Sequence, residues 1–283
     1  MNDTVIAHFS DIHFGGQCDL PQIAVLEETV PGLRPDAIVV SGDLAQRARH
    51  GEFQAARRLL DGLGRVAPTL VIPGNHDVQW WRSPLGLCGS APKYRKYRRY
   101  FGEDLTPTLE LERAVIASAL TAHGLAWGSL TFDPNDLTVK GHLPRSEIRR
   151  VRHLLAQVPP DKARILVVHH NVLPGVLSRR WGLARPRLTQ RRLAALDLDL
   201  VLCGHDHTEG AGDLGGKVVV STAGTHSVRT RGGRPSAFNL VRLDDQKIEI
   251  QHYVYDARQR LFRPGDKALF ARWRAARPVA AGR

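Results

Sequence analysis

Apolar residues along this chain fall in short unbroken runs rich in β-branched side chains, not in strict alternation with polar ones. Val5–Phe9, Ala37–Val40, Leu70–Ile72, Ile165–Val168, Leu198–Cys203 and Val218–Val220 each read as a strand buried on both faces. Between them the period changes. Phe53, Ala56, Leu60 and Leu63 share one helical face, and Ile148, Val151 and Leu155 share another after Pro144, which suits a first helical turn. Strands alternating with helices predict an α/β layered domain around a largely buried sheet. The C-terminal part differs. Ala237–Leu243 and Lys247–Tyr255 flank Asp244-Asp245-Gln246 and predict a hairpin at a sheet edge. Gly265–Arg283 is basic, with Leu269, Phe270 and Trp273, and predicts a short helix followed by a frayed tail. No repeat or Ser/Gly linker divides the chain. The expected organisation is one domain over 1–260, with a basic and aromatic insertion at about 79–102, and a basic tail at 261–283.

The polar residues are placed non-randomly against this pattern. Five apolar runs end at once in metal-competent side chains: Asp11-Ile12-His13, Gly42-Asp43, Gly74-Asn75-His76-Asp77, His169-His170-Asn171 and Gly204-His205-Asp206-His207. In open α/β sheets the carboxyl ends of strands form one crevice where ligands bind, so the five clusters are expected to meet. Asp, His and Asn without Cys make a hard-to-borderline donor set suited to Mn, Fe, Zn or Co. Asp11, His13, Asp43, Asn75, His169, His205 and His207 are too many donors for one ion. With Asp43 bridging, each of two ions receives four protein ligands. Two ions about 3.5–4 Å apart can generate a hydroxide and clamp an in-line phosphoryl displacement. Gly42 lets the backbone turn tightly ahead of Asp43. On an extended segment, His205 and His207 would address the site from one side.

Composition narrows the classes. Lys and Arg total 40 against 28 Asp and Glu, a formal +12. No apolar run approaches the ~20 residues of a membrane span, and no signal peptide precedes the first strand. Three cysteines, Cys18, Cys88 and Cys203, do not make a disulfide framework and fit a reducing cytosol. The expected location is therefore cytoplasmic, with contact at the inner membrane left open by the basic patches.

Taken together, in this order, the five clusters resemble the signature of the calcineurin-like metallophosphoesterase superfamily over about residues 4–222. The resemblance implies a four-layer αββα sandwich of two mixed β-sheets flanked by helices, the metallophosphoesterase fold. It implies one ion held by Asp11, His13, Asp43 and His207, and a second by Asp43, Asn75, His169 and His205. Of the paired histidines, His169 is taken as the ligand because related motifs use the first residue past the strand, with His170 as the alternative. His76 would contact the phosphoryl group and protonate the leaving oxygen, and Asp77 would orient His76. The Asn-His-Asp form and the double histidine resemble the bacterial branch that includes class III cyclic nucleotide phosphodiesterases. That branch often has two prolines after the paired histidines; here Asn171, Val172 and Leu173 follow, with Pro174 later.

Other segments bear on the substrate. Trp80-Trp81-Arg82 and Lys93-Tyr94-Arg95-Lys96-Tyr97-Arg98-Arg99-Tyr100-Phe101 interleave aromatic and basic residues. They could bind single-stranded nucleic acid or an anionic headgroup. Tyr94, Tyr97 and Phe101 are also spaced to pack one face of a surface helix, leaving the Arg and Lys face solvated, and that reading is favoured. His170, Arg179 and Arg180 are candidate substrate contacts, and His226 a candidate rim residue. The function expected is hydrolysis of a phosphodiester, or a phosphomonoester, by a dinuclear metal site. Its partner is an anionic phosphoester, with peripheral membrane contact through the basic patches and no obligate nucleic acid. The alternative is a membrane-surface nucleotide-sugar or lipid pyrophosphatase on the same site. A nuclease lacks an obvious added DNA-binding domain, and a non-catalytic scaffold would have lost ligands, none of which is missing.

Overall fold

A computed structural model describes residues 3–79, 82, 91–124 and 139–273. In chain order the elements are β1 (Thr4–Phe9), α1 (Leu20–Leu33), β2 (Ala37–Val40), α2 (His50–Gly64), β3 (Thr69–Val71), α3 (Ala91–Phe101), β4 (Leu109–Glu110), β5 (Ala114–Ser118), α4 (Arg145–Ala156), β6 (Ala163–Val167), α5 (Pro186–Ala194), β7 (Leu200–Cys203), β8 (Gly210–Leu214), β9 (Val218–Thr222), β10 (Ala237–Leu243), β11 (Lys247–Asp256) and β12 (Leu261–Ala271). They form two six-stranded sheets, ordered β12-β11-β10-β1-β2-β3 and β4-β5-β6-β7-β9-β8. Both are mixed: β1, β2 and β3 run parallel while β10, β11 and β12 are antiparallel.

The unbroken apolar runs follow from this layering. In β1, Val5, Ala7 and Phe9 point into a cluster with Leu26 of α1 and Phe53 and Leu63 of α2. Ile6 points the other way, into a cluster with Val39, Ile116, Ile165 and Leu202 drawn from both sheets. Beyond the second sheet, Leu166, Val168 and Val201 pack on Ile148, Val151 and Leu155 of α4 and Leu193 of α5. A strand with period-2 side chains between two apolar layers needs no polar position. The result is the expected helix–sheet–sheet–helix sandwich. Each fully buried Val, Leu or Ile contributes roughly 1.5–3 kcal/mol of transfer free energy before entropy is counted.

The C-terminal reading needs correction. Leu261–Ala271 is neither a helix nor a tail. It is β12, the edge strand, antiparallel to β11 with Ile248 opposite Phe270 and Tyr255 opposite Phe262. Its centre, Arg263-Pro264-Gly265-Asp266-Lys267, is polar because one face and one edge meet water. Pro264 is tolerated there because an edge strand can lack a ladder donor, and the register shifts between Gln251 and Tyr253 opposite it. The predicted hairpin is real, but β10 lies inside the sheet beside β1, not at its edge.

From Ala91 to Phe101 the inserted segment is a helix. Tyr94 and Tyr97 are buried, and Tyr97 packs on Phe53 and Phe101. The basic face is only partly solvated. Lys93 is buried and its Nζ donates to His123 O, while Lys96 Nζ donates to Ala48 O. The nucleic-acid stacking reading fails for Tyr94 and Tyr97, whose ring faces are in the core. Trp80, Trp81, Cys88 and the residues after Trp273 lie outside the described residues. No helix among the described residues is long and apolar enough to cross a membrane.

Candidate dinuclear metal centre

The loops after β1 and β2 run side by side past the ends of the sheet. Asp11 N donates to Gly42 O, His13 N to Asp43 O and Phe14 N to Leu44 O, at 2.8–3.0 Å. Within this loop pair Asp11, His13 and Asp43 all take left-handed φ of 54–55°. His205 and His207 do the same at 74° and 63°. Asp and His are among the side chains that tolerate this region best, but each such residue still costs of order 1–3 kcal/mol. The strain turns alternate side chains inward. His205 and His207 therefore do not share one face of an extended segment, as their spacing had suggested; the turn sends them to different halves of the site.

In each carboxylate one oxygen is tied down by a backbone amide and the other faces imidazoles. Asp11 Oδ2 accepts from His205 N at 2.8 Å; its buried Oδ1 has no hydrogen-bond donor among the described residues. That oxygen lies 3.3 Å from His207 Nε2 and 3.7 Å from His13 Nε2, and the two imidazole nitrogens are 3.0 Å apart. Asp43 Oδ1 accepts from His76 N at 2.8 Å. Its Oδ2 lies 3.4 Å from His169 Nε2 and 3.8 Å from His13 Nε2, between the two groups. On the far side, Asn75 Oδ1 is 3.0 Å from both His169 Nε2 and His205 Nδ1. Gly74 permits this approach: a Cβ there would fall onto the Asp43 carboxylate.

Outer partners fix the imidazoles. His169 Nδ1 donates to Ser41 O at 2.8 Å and His207 Nδ1 to Arg229 O at 3.0 Å, so Nε2 of each is left as the lone-pair donor. His76 Nδ1 donates to Gln46 O at 2.8 Å. Electrostatics match the clustering. Burial opposes charge on Asp11, yet the neighbouring His13 and His207 imidazoles hold its carboxyl well below the usual range. Burial likewise opposes charge on His169, but Asp43 beside it raises the imidazole to about 9. Burial and the neighbouring His169 push His205 down to about 3. An unpartnered buried carboxylate oxygen, converging imidazole lone pairs and a carboxylate between two donor groups fit a pair of cations.

The structure thus brings together Asp11, His13, Asp43, Asn75, His76, His169, His205 and His207. Other expected contacts are corrected. Asp77 does not touch His76. Its carboxylate is buried behind the loop and accepts from Leu44 N, Ala45 N and Gly74 N at 2.8–3.1 Å. The residue that orients His76 is Gln46, through its carbonyl. His170 is fully buried, with Nδ1 bonded to Thr121 Oγ1 and Nε2 to Val139 O, so neither nitrogen is left for an ion or a substrate. It backs His169 and His205, with ring centroids at 4.8 and 4.5 Å. His226 is packed among Phe9, Phe238 and Phe262 rather than at the rim.

A cavity of about 360 Å³ opens over the centre, lined among others by Asp43, Asn75, His76, His205, His207 and Arg180. Arg179 is exposed and does not line it. Arg229, Thr230 and Arg231 do, and were not anticipated. A signal existed. β9 is parallel to β7, so the loop after it opens on the same crevice.

A calcineurin-like phosphoesterase family model matches residues 4–209. The chain belongs to this family. Its members' activity makes it a hydrolase acting on phosphoester bonds. It is 31% identical over 230 residues to a glycerophosphodiester phosphodiesterase of Enterobacter lignolyticus, covering 72% of this chain and 70% of that one. It is 27% identical over 223 residues to a cAMP/cGMP dual specificity phosphodiesterase of Mycobacterium tuberculosis, covering 72% of this chain but only 62% of the other. In fold it is similar to a dimetal phosphatase from Danio rerio, with TM-score 0.63 at 12% identity over 96% of this chain and all of that one.

Proposed function

We propose that this phosphoesterase hydrolyses phosphodiesters at two divalent ions. Asp11, His13, Asp43 and His207 hold one ion; Asp43, Asn75, His169 and His205 hold the other. The observation that carries this reading is Asp43 Oδ2, set between His13 Nε2 at 3.8 Å and His169 Nε2 at 3.4 Å. The donor set accepts Mn, Fe, Zn or Co. When bound, such a pair polarises phosphoryl oxygens and makes water nucleophilic near neutral pH.

The chain's own residues supply orientation and the proton. The carbonyls of Ser41 and Arg229 hold His169 and His207 in the ligating tautomer. His76 is anchored through Nδ1, which leaves Nε2 to act on the leaving oxygen; the imidazolium gives up its Nε2 proton there and returns to the Nδ1–H tautomer. The cavity is open and polar, so the leaving group exits into water. Diesters are favoured over monoesters because both relatives above are named for diesters. The membrane-surface pyrophosphatase reading drew on the aromatic insertion and the basic C-terminus. The described parts of both, α3 and β12, are folded into the domain.

The test is metal-depleted protein reconstituted with Mn, Fe, Zn or Co and offered bis(p-nitrophenyl) phosphate and p-nitrophenyl phosphate. Turnover of the diester, with about two ions per chain by elemental analysis, is expected. No turnover with any metal would defeat the reading.

A further inference from the structure

The cavity over the centre carries more positive charge than one scissile phosphate uses. Asp43, Asn75 and His76 line its inner part; Arg180, Arg229 and Arg231 line it toward solvent. Asp43 is the only carboxylate among its described lining residues, and that carboxylate faces the metal ligands. Arg231 is compensated: its Nε donates to Asp206 O at 2.6 Å and lies 3.7 Å from Asp206 Oδ1. Arg180 and Arg229 are both exposed, and neither guanidinium has a carboxylate partner among the described residues. Their backbones are nonetheless fixed, because Arg180 O accepts from Asn171 Nδ2 and Arg229 O from His207 Nδ1. Two uncompensated arginines on fixed backbone therefore line one cavity.

The scissile group has the two ions and His76 to meet its charge. The charge left over, two guanidiniums, matches a phosphate dianion better than a carboxylate, which would leave one cation unpaired. Planar guanidiniums also fork onto phosphate oxygens in bidentate fashion. We propose that Arg180 and Arg229 form a subsite for a second, terminal phosphate on the substrate, so that the enzyme selects phosphoesters that carry one. This rests on the phosphoesterase reading above.

A matched pair of chromogenic esters tests it: thymidine 3′-(p-nitrophenyl phosphate) and the same compound with a 5′-phosphate. With metal-loaded protein, kcat/KM is expected to be about tenfold or more higher for the 5′-phosphorylated ester, the value of one or two charge-assisted hydrogen bonds. In the Arg180→Gln/Arg229→Gln double variant the ratio should fall to about one. Calorimetry provides a readout independent of turnover. Thymidine 3′,5′-bisphosphate should bind the wild type more tightly than thymidine 3′-phosphate, and the double variant should lose that difference. A wild-type ratio near one, or a ratio that survives in the double variant, overturns the subsite. Bis(p-nitrophenyl) phosphate keeps the two failures apart. Turnover of it without bisphosphate preference sinks the subsite alone. No turnover with any metal sinks the phosphoesterase reading, and the calorimetric comparison then still decides whether the two arginines hold a phosphate.

Discussion

Asp77 illustrates how a side chain beside a proposed catalytic histidine can act on the backbone instead. Its two oxygens receive three amide hydrogens, from Leu44, Ala45 and Gly74, and so join the loop after β2 to the loop after β3. Burial, and then the charge of Asp43, raise its carboxyl to about 7, while those three amides pull the other way. An Asn at 77 would point an amide NH2 at one or two backbone N–H groups. Asp77→Asn should therefore cost about 1–3 kcal/mol, read as a lower urea midpoint with an unchanged m-value. His76 makes a different prediction. With Nδ1 committed to Gln46 O, it is proposed to act on the leaving oxygen rather than to hold an ion. His76→Ala should keep its metal content and lose about 10²–10⁴-fold in kcat on alkyl phosphodiesters. The loss should be smaller on bis(p-nitrophenyl) phosphate, whose leaving group needs little protonation. Equal losses on the two substrates would contradict the proton-donor role. At this scale the residue types of the site could be read from the chain, but their conformations could not. Nothing in Asp11-Ile12-His13 announces left-handed φ, and the partner of Asp77 is a set of amides that any sequence would supply.

Strands between two apolar layers leave a plain trace in sequence, and β1, β2, β6, β7 and β9 were legible for that reason. The edge strands β8 and β12 were not. β8, Gly210–Leu214, is glycine-rich and half exposed, and β12 has a polar centre that hides its strand pattern and leaves its second half to be read as a short helix. Their pairing is decided by the neighbouring strand rather than by their own pattern. α3 lies between these cases, since its aromatic stripe marked the buried face but not the burial of Lys93. Tyr97 on that stripe is fully buried against Phe53 and Phe101, and its hydroxyl has no partner among the described residues. Tyr97→Phe should be neutral or stabilise by up to about 1 kcal/mol, because it removes a buried polar atom and keeps the ring. Tyr97→Ala should cost about 3–5 kcal/mol through the cavity it leaves. Thermal unfolding of the two variants side by side checks both signs. A Phe variant as damaged as the Ala variant would mean that the hydroxyl is bonded.

The two sheets meet at the centre. Asp11, His13, Asp43 and Asn75 come from strand ends of one sheet, and His169, His205 and His207 from strand ends of the other. Protein bonds already cross the seam there: His205 N donates to Asp11 Oδ2, His169 Nδ1 donates to Ser41 O, and His8 hydrogen-bonds with both Ser41 Oγ and Ser221 Oγ. On the proposed ligand sets each ion would draw donors from both sheets, so binding would tie together halves that unfolding must separate. Ligands that bind only the folded chain stabilise it by about 2.7 kcal/mol at a hundredfold excess over Kd. For a domain somewhat smaller than this one, each kcal/mol is worth about 2–4 °C, so saturating Mn²⁺ should raise Tm by about 5–10 °C over chelator-treated protein. Asp43 is proposed to serve both ions, so Asp43→Asn should remove most of the shift. A surface carboxylate such as Glu249, paired with Lys267 on the β11–β12 ribbon, should be replaceable by Gln without changing it. A metal that supports turnover but leaves Tm unmoved would show that the sheets close without it. The field of the loaded molecule follows from the same count. On the proposed site a chain of formal charge +12 would take up two dications, and the guanidiniums lining the cavity are where the remaining positive charge would meet a second phosphate.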